Sequence, residues 1–235
     1  MPKLFEGAIQ DWKYVLSFAA GAAVFWLLQF AYQFYVIIPN QFNLSLIRSF
    51  AFSGATLISI ALLLGPLARL SPKWNFVMHR RMFGVCGFAL IIGHSASVMT
   101  FLFNWNIQSI GLNASPFDNP VLFGLWAYWI LFAMFLTSTD WAVAKLGTKN
   151  WKRLHRLVFI AYTLAVLHFV LVNPSALNNL AGQLLLGLAV LVFALQLLAF
   201  AKTVFQKRAS LIEMGVGIAL ILGLGALLYL GFWLK

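Results

Sequence analysis

Residues 79–94 read HRRMFGVCGFALIIGH, and they open the stretch that decides the fold. Two adjacent arginines are followed by a predominantly apolar run, residues 82–103, with a single histidine, His94, inside it. A helix needs about 20 mainly apolar residues to cross the hydrocarbon core of a bilayer. The stretch therefore predicts a membrane-spanning helix that has a positively charged end and a histidine at membrane depth.

The composition of the whole chain agrees with this prediction. Of the 235 residues, 63% are hydrophobic and 9% are charged, whereas a soluble domain has roughly 45–50% apolar and about 25% charged residues. The net charge of +11 comes from basic residues in short segments between apolar runs, which is the pattern of membrane orientation. The lone cysteine, Cys86, excludes an internal disulfide. We therefore expect the lipid bilayer as the surroundings and no nucleic acid as a partner.

Apolar runs of suitable length recur along the chain and predict an all-α, polytopic membrane helix bundle of about seven transmembrane helices. We expect one transmembrane domain over residues 1–235, and we expect the fifth span to begin earlier than its apolar run, near Asn150. The predicted spans are residues 14–38, 49–68, 82–103, 121–139, 157–172, 180–201 and 214–234.

The orientation follows from the distribution of lysine and arginine. The sequence has 16 of these residues, and with seven spans all of them except Arg48 and Lys235 fall on the same side. Because the cytoplasmic side of a membrane protein carries the excess of basic residues, the pattern predicts a cytoplasmic N-terminus and an outer C-terminus.

Two histidines lie inside the predicted spans. His94 is 13 residues after Arg81, and His168 is 13 residues after His155, so each lies about 20 Å along its helix. Ionisable residues at membrane depth are costly and are candidates for function. Two imidazoles at matched depth on different helices can bind one iron from its two faces. The alternative is that each histidine only hydrogen-bonds a neighbouring helix. A proton relay has less support, because no Asp or Glu lies within the spans.

His155 and His79 form a second candidate pair near the inner surface. The rise from His155 to His168 suits two stacked haem groups, but on an ideal helix their side chains point about 140° apart. The alternative for His79 is a solvated loop histidine.

Four arginines are candidates for binding the anionic propionates of a haem, since guanidinium groups pair with carboxylates in a bidentate way. Their alternative role is to extend from the membrane toward the interface. They are Arg80, Arg81 and Arg156 on the inner side and Arg48 on the outer side.

Several of these segments together resemble the ferric-reductase-like transmembrane proteins. The resemblance covers roughly residues 45–200, the expected haem-binding core, and leaves residues 211–235 as an extra C-terminal helix. Within this family, the chain is similar to the haem-binding membrane subunit of the methionine sulfoxide reductase system and, more distantly, to NADPH oxidases and metalloreductases. The segments are GPLAR at 65–69, HRRMFGVCGFALIIGH at 79–94, Thr137-Ser138, and LGTKNWKRLHRLVFIAYTLAVLHF at 146–169.

The resemblance implies a transmembrane b-type cytochrome with one or two haem b groups, and a flavin is a further candidate cofactor. His94, His155 and His168 match histidines of the family, and His79 fits the oxidase pattern in which the third helix serves two haems. The NADPH- and flavin-binding domain of the oxidases has no counterpart here, so electrons would come from a separate reductase, a flavin or a quinone. They would pass to a protein or small molecule on the outer side.

We therefore expect a multi-pass protein of the bacterial inner or plasma membrane that acts as an oxidoreductase-type electron-transfer component. The alternative is a non-catalytic membrane subunit or scaffold of a larger complex that does not bind haem. A transporter has little support, because no charged midplane site or inverted repeat is evident.

Overall fold

A computed structural model describes residues 12–70 and 76–205, together with Gly225. Within these residues every regular element is a helix, so the predicted all-α class is confirmed. Short π or 3-10 turns cover Gln33–Ile37, Phe76–His79, Ile107–Ile110 and Pro174–Asn178. The α-helices are α1 Trp12–Tyr32, α2 Phe42–Leu70, α3 Arg80–Phe101, α4 Val121–Leu136, α5 Asp140–His155, α6 Val158–Val172 and α7 Leu180–Phe205.

The lengths and compositions of these helices confirm a polytopic membrane bundle. The shorter apolar helix Val121–Leu136 corresponds to the predicted fourth span, and the predicted seventh span, 214–234, lies outside the described residues. Five stretches are long and apolar enough to cross a membrane: Trp12–Ile37, Phe42–Ala68, Arg80–Phe101, Asp140–Val172 and Leu180–Ala201.

Two boundaries differ from the sequence-based expectation. The second helix begins at Phe42 rather than at residue 49, so Arg48 belongs to a helix and not to a loop. The basic segment before the fifth span is also helical from Asp140, with a break at Gly147, whose φ of +73° suits glycine. In both places polar residues lowered the local hydropathy without ending the helix.

The chain divides into two compact units. Unit 1 contains α1, α2 up to Gly65, and α3 with the turn after it; unit 2 contains residues 66–72 and the chain from Gly111 onward. The prediction of a single domain over residues 1–235 stays a prediction.

In unit 1, α2 and α3 pack with their backbones close together. A Cβ atom built on Gly87 would lie 3.0 Å from the carbonyl oxygen of Gly54 and 2.8 Å from the Ile58 side chain. Small residues permit such close approach between membrane helices. Beside this contact, Leu57 and Cys86 belong to the buried core of the unit.

In unit 2, α4 packs against α6. Tyr162 of α6 is buried against Phe193 of α7, with ring centroids 5.6 Å apart. Gly182, in the first turn of α7, lies directly on the carbonyl of Ala176, where a side chain would collide. Within the unit, α6 therefore contacts both α4 and α7, and the turn before α7 packs on its first residues.

Candidate metal-ligand histidines

His94 lies in the middle of α3 and is held by the backbone of α2. Its Nδ1 is 3.1 Å from the carbonyl oxygen of Ile47. A carbonyl can only accept a hydrogen bond, so Nδ1 carries the proton and donates it. The lone pair of the neutral ring is then on Nε2, which is the form of histidine that binds a metal.

His168 has the same arrangement in unit 2. Its Nδ1 is 3.0 Å from the carbonyl oxygen of Pro120, the residue just before α4. A Cβ atom built on Gly124 would lie 2.8 Å from that Nδ1 and 2.9 Å from Cγ and Cε1 of the ring. The imidazole therefore lies flat against the backbone of α4, and its place depends on glycine at position 124.

His155, at the end of α5, interacts with side chains instead. Its Nε2 is 3.3 Å from Oγ1 of Thr137, and its ring stacks on Trp151 with centroids 4.0 Å apart. The Thr137 hydroxyl donates to the carbonyls of Ala133 and Met134 at 2.9 and 3.1 Å. Because a hydroxyl has one proton, its oxygen accepts from His155, which in this arrangement carries a proton on Nε2.

His79 ends the 3-10 turn before α3, and it is half-buried rather than in a solvated loop. Its Nδ1 shares a hydrogen bond with the hydroxyl of Tyr14 from α1. The Phe18 ring stacks on it with centroids 6.4 Å apart. A phenol can donate or accept, so this contact does not fix which nitrogen carries the proton.

The four candidate arginines all lie at helix ends or in a helix. Arg48 is half-buried in the second turn of α2, and Arg80 and Arg81 form the first turn of α3. The Arg80 guanidinium packs over Gly65, with Nη1 3.4 Å from a Cβ built there. Arg156 caps the end of α5.

The structure places two candidate histidines in each unit. In unit 1, His79 ends the turn before α3 and His94 lies within α3. In unit 2, His155 ends α5 and His168 lies within α6. Among the residues that the structure describes, no group of three or more His, Cys, Asp or Glu could hold a metal ion.

Sequence reasoning missed the residues that hold these histidines. Ile47 and Pro120 act through backbone carbonyls, which leave no signal in side-chain identity. Tyr14 is 65 residues away from its partner, and Gly124 lies in an apolar run without a distinguishing pattern. Thr137 belongs to a segment that carried the family resemblance, but no role could be predicted for it.

A comparison with known protein families shows which family the central part of the chain belongs to. Residues 50–166 match the model of the family described as ferric reductase like transmembrane component. This segment belongs to the ferric-reductase-like family. It includes His79, His94 and His155, and it ends two residues before His168. The predicted resemblance is confirmed, and the chain is a multi-pass membrane protein.

Two curated relatives are similar over about half of the chain. Magnetosome protein MamZ of Magnetospirillum gryphiswaldense is 30% identical over 117 residues, which cover 49% of this chain and 18% of that protein. Protein-methionine-sulfoxide reductase heme-binding subunit MsrQ of Caulobacter vibrioides is 30% identical over 128 residues, 54% of this chain and 60% of that protein. The matches thus span less than two thirds of either relative. No solved structure matches the chain.

Proposed function

We propose that the chain is a membrane b-type cytochrome whose haem is bound by His94 and His168. The observation that carries the proposal is the shared arrangement of these two residues. Each lies inside an apolar helix, and each has its Nδ1 hydrogen-bonded to a backbone carbonyl. The relative MsrQ, which is named as a heme-binding subunit, supports the same cofactor here.

The residues present fit a haem. Metal-binding histidines usually donate their second ring nitrogen to a carbonyl or carboxylate, which orients the ring and raises the basicity of the ligating nitrogen. The Ile47 and Pro120 carbonyls do this for His94 and His168. When bound, haem supplies one-electron chemistry between ferrous and ferric iron. The protein's part is to fix both imidazoles and to surround them with apolar helices.

A second haem is the finer part of the proposal, with His155 and His79 as its ligands. Ligation through Nε2 requires His155 to exchange its hydrogen bond with Thr137 for a metal bond, whereas the Tyr14 hydroxyl bonds Nδ1 of His79. Arg80, Arg81 and Arg156 are near the ends of the same helices and would pair with propionates on the inner side. Arg48 would do so on the outer side, because it lies next to Ile47, whose carbonyl holds His94.

The direction of electron flow follows from the predicted orientation. Electrons would enter on the cytoplasmic side from a separate flavoprotein, a flavin or a quinone, and leave to a protein or small molecule outside. A separate partner is supported by MsrQ, which is named as one subunit of a reductase. We place the chain in a bacterial plasma membrane, because both relatives are bacterial proteins.

A difference absorbance spectrum of the purified protein tests this function. We expect the dithionite-reduced minus oxidised spectrum to contain the α band of a b-type haem, with one or two haems per chain. A protein purified from haem-sufficient cells without that band would reject the cytochrome and favour the haem-free scaffold.

A further inference from the structure

The helix α5 lies at one end of unit 2. Pro120 and Gly124, at the start of α4, contact His168 near the end of α6. Thr137, just after α4, contacts His155, just before α6. The two apolar helices are therefore antiparallel, and α5 connects them at the end where α4 stops and α6 starts. A connection between two membrane-crossing helices lies at the membrane surface.

The second half of α5, after the break at Gly147, has two chemically different faces. At 3.6 residues per turn, its three cationic residues fall within an arc of about 100°. Its aromatic and apolar residues fall on the opposite side. The cations are exposed and the opposite residues are half-buried. The cationic face contains Lys149, Lys152 and Arg153, and the opposite face contains Trp151, Leu154 and His155.

The half-buried face is anchored to the end of α4. The indole Nε1 of Trp151 donates to the carbonyl of Thr137 at 2.9 Å, and His155 bonds the hydroxyl of the same residue. These two contacts fix the rotation of the helix, so the cationic face is held in one direction. A preorganised surface binds with less loss of conformational freedom than a mobile loop does.

The first half of α5, before the break at Gly147, has exposed apolar groups of its own. Trp141 is 70% exposed and Leu146 is 39% exposed. The Lys145 ammonium lies 4.9 Å from the centroid of the Trp141 ring. A helix with cations on one side and exposed Trp or Leu beside them is typical of the interface between headgroups and acyl chains.

We infer that the cationic face of α5 binds the phosphate groups of anionic phospholipids. Lysine and arginine clusters on such helices attract anionic headgroups, and the exposed Trp141 and Leu146 match a lipid surface better than the polar surface of a soluble acidic protein. This inference does not depend on haem, so it stands or falls separately from the cytochrome.

Lipid binding to the full chain in detergent tests the inference. We would titrate phosphatidylglycerol or phosphatidylcholine into purified protein, count bound lipids by native mass spectrometry, and follow the thermal unfolding midpoint. The variant Lys149→Gln/Lys152→Gln/Arg153→Gln removes the cationic face. The matched control Lys149→Arg/Lys152→Arg/Arg153→Lys keeps all three charges.

We expect wild type and control to bind phosphatidylglycerol at least tenfold more tightly than phosphatidylcholine, since each cation near an anionic surface contributes roughly a fivefold gain. The neutral variant should lose most of this preference while its unfolding midpoint in phosphatidylcholine stays unchanged. An unchanged preference in the neutral variant would overturn the inference. So would inorganic phosphate that competes as well as the lipid, or a soluble acidic polypeptide that binds this face when phosphatidylglycerol does not.

Discussion

The two histidines inside apolar helices, His94 and His168 (the mid-helix pair), differ from the two at helix ends in what holds them. His94 and His168 are held by backbone carbonyls, whereas His79 and His155 are held by the hydroxyl groups of Tyr14 and Thr137. A carbonyl forces the proton onto Nδ1, and both mid-helix residues therefore have their lone pair on Nε2. A hydroxyl can donate or accept, so it imposes no such form by itself.

This difference is the reason for proposing His94 and His168 as the firmer pair of haem ligands. The carbonyl bonds of the first pair position a ring without depending on another side chain. The bonds of the second pair do depend on another side chain, that of Tyr14 in α1 or that of Thr137 after α4. We therefore expect the four residues to respond very differently to mutation.

The largest effect should come from removing a mid-helix histidine. His94→Ala or His168→Ala deletes one proposed haem ligand, and we expect most of the bound haem to be lost. Haem per chain, measured by the pyridine haemochrome method, checks this, with His155→Ala as the comparison variant. Full haem content in both mid-helix variants would refute the assignment.

A smaller effect is expected from Gly124→Ala. The added methyl group would meet the His168 ring at about the distances found for a built Cβ, 2.8–2.9 Å, and such overpacking costs roughly 1–3 kcal/mol. Haem occupancy and the thermal unfolding midpoint should both fall. Gly187→Ala is the matched control, because a Cβ there has nothing within 4 Å. If the two variants have the same haem occupancy and unfolding midpoint, Gly124 is not needed to position His168.

Thr137→Val tests the side-chain support of His155. The change removes the hydroxyl bond, and we expect a loss of about 1 kcal/mol in the free energy of unfolding. The spectrum of the haem at His94 and His168 should not change. Thr163→Val, whose hydroxyl bonds the Phe159 carbonyl of its own helix, serves as the control. A haem spectrum that changes in Thr137→Val and not in the control would indicate that His155 binds haem in the native protein.

The smallest effect is expected from Tyr14→Phe, which removes the hydroxyl partner of His79 but keeps the aromatic packing. The free energy of unfolding should fall by no more than about 1 kcal/mol, and haem content should equal that of the wild type. The exposed Tyr35→Phe provides the control. If Tyr14→Phe instead lost one of two haems, the result would indicate that His79 binds a second haem.

The sequence predicted the helical bundle and the mid-helix histidines because both depend on local composition. The length of an apolar run identifies a membrane helix, and a histidine within such a run is recognisable because it is the polar exception. The start of α2 was predicted too late because Ser45 and Arg48 lower its hydropathy. Ser45, Ser49 and Ser53 are fully buried at four-residue intervals, so they line one helix face rather than a loop.

The residues that hold the four histidines in place could not be predicted from the sequence. Backbone carbonyls, such as those of Ile47 and Pro120, are present at every position, and only the tertiary fold selects two of them. The requirement for glycine at position 124 likewise appears only when α6 is packed on α4. Tyr14 and Thr137 are recognisable as hydrogen-bonding residues, but their partners depend on the same packing.

Electron paramagnetic resonance of the oxidised protein tests the central claim most directly, because it reports the axial ligands of the haem iron. We expect a low-spin signal with two imidazole ligands in the wild type, and we expect its loss in both His94→Ala and His168→Ala. A haem-containing wild type without a bis-imidazole signal, or either variant with that signal unchanged, would contradict it.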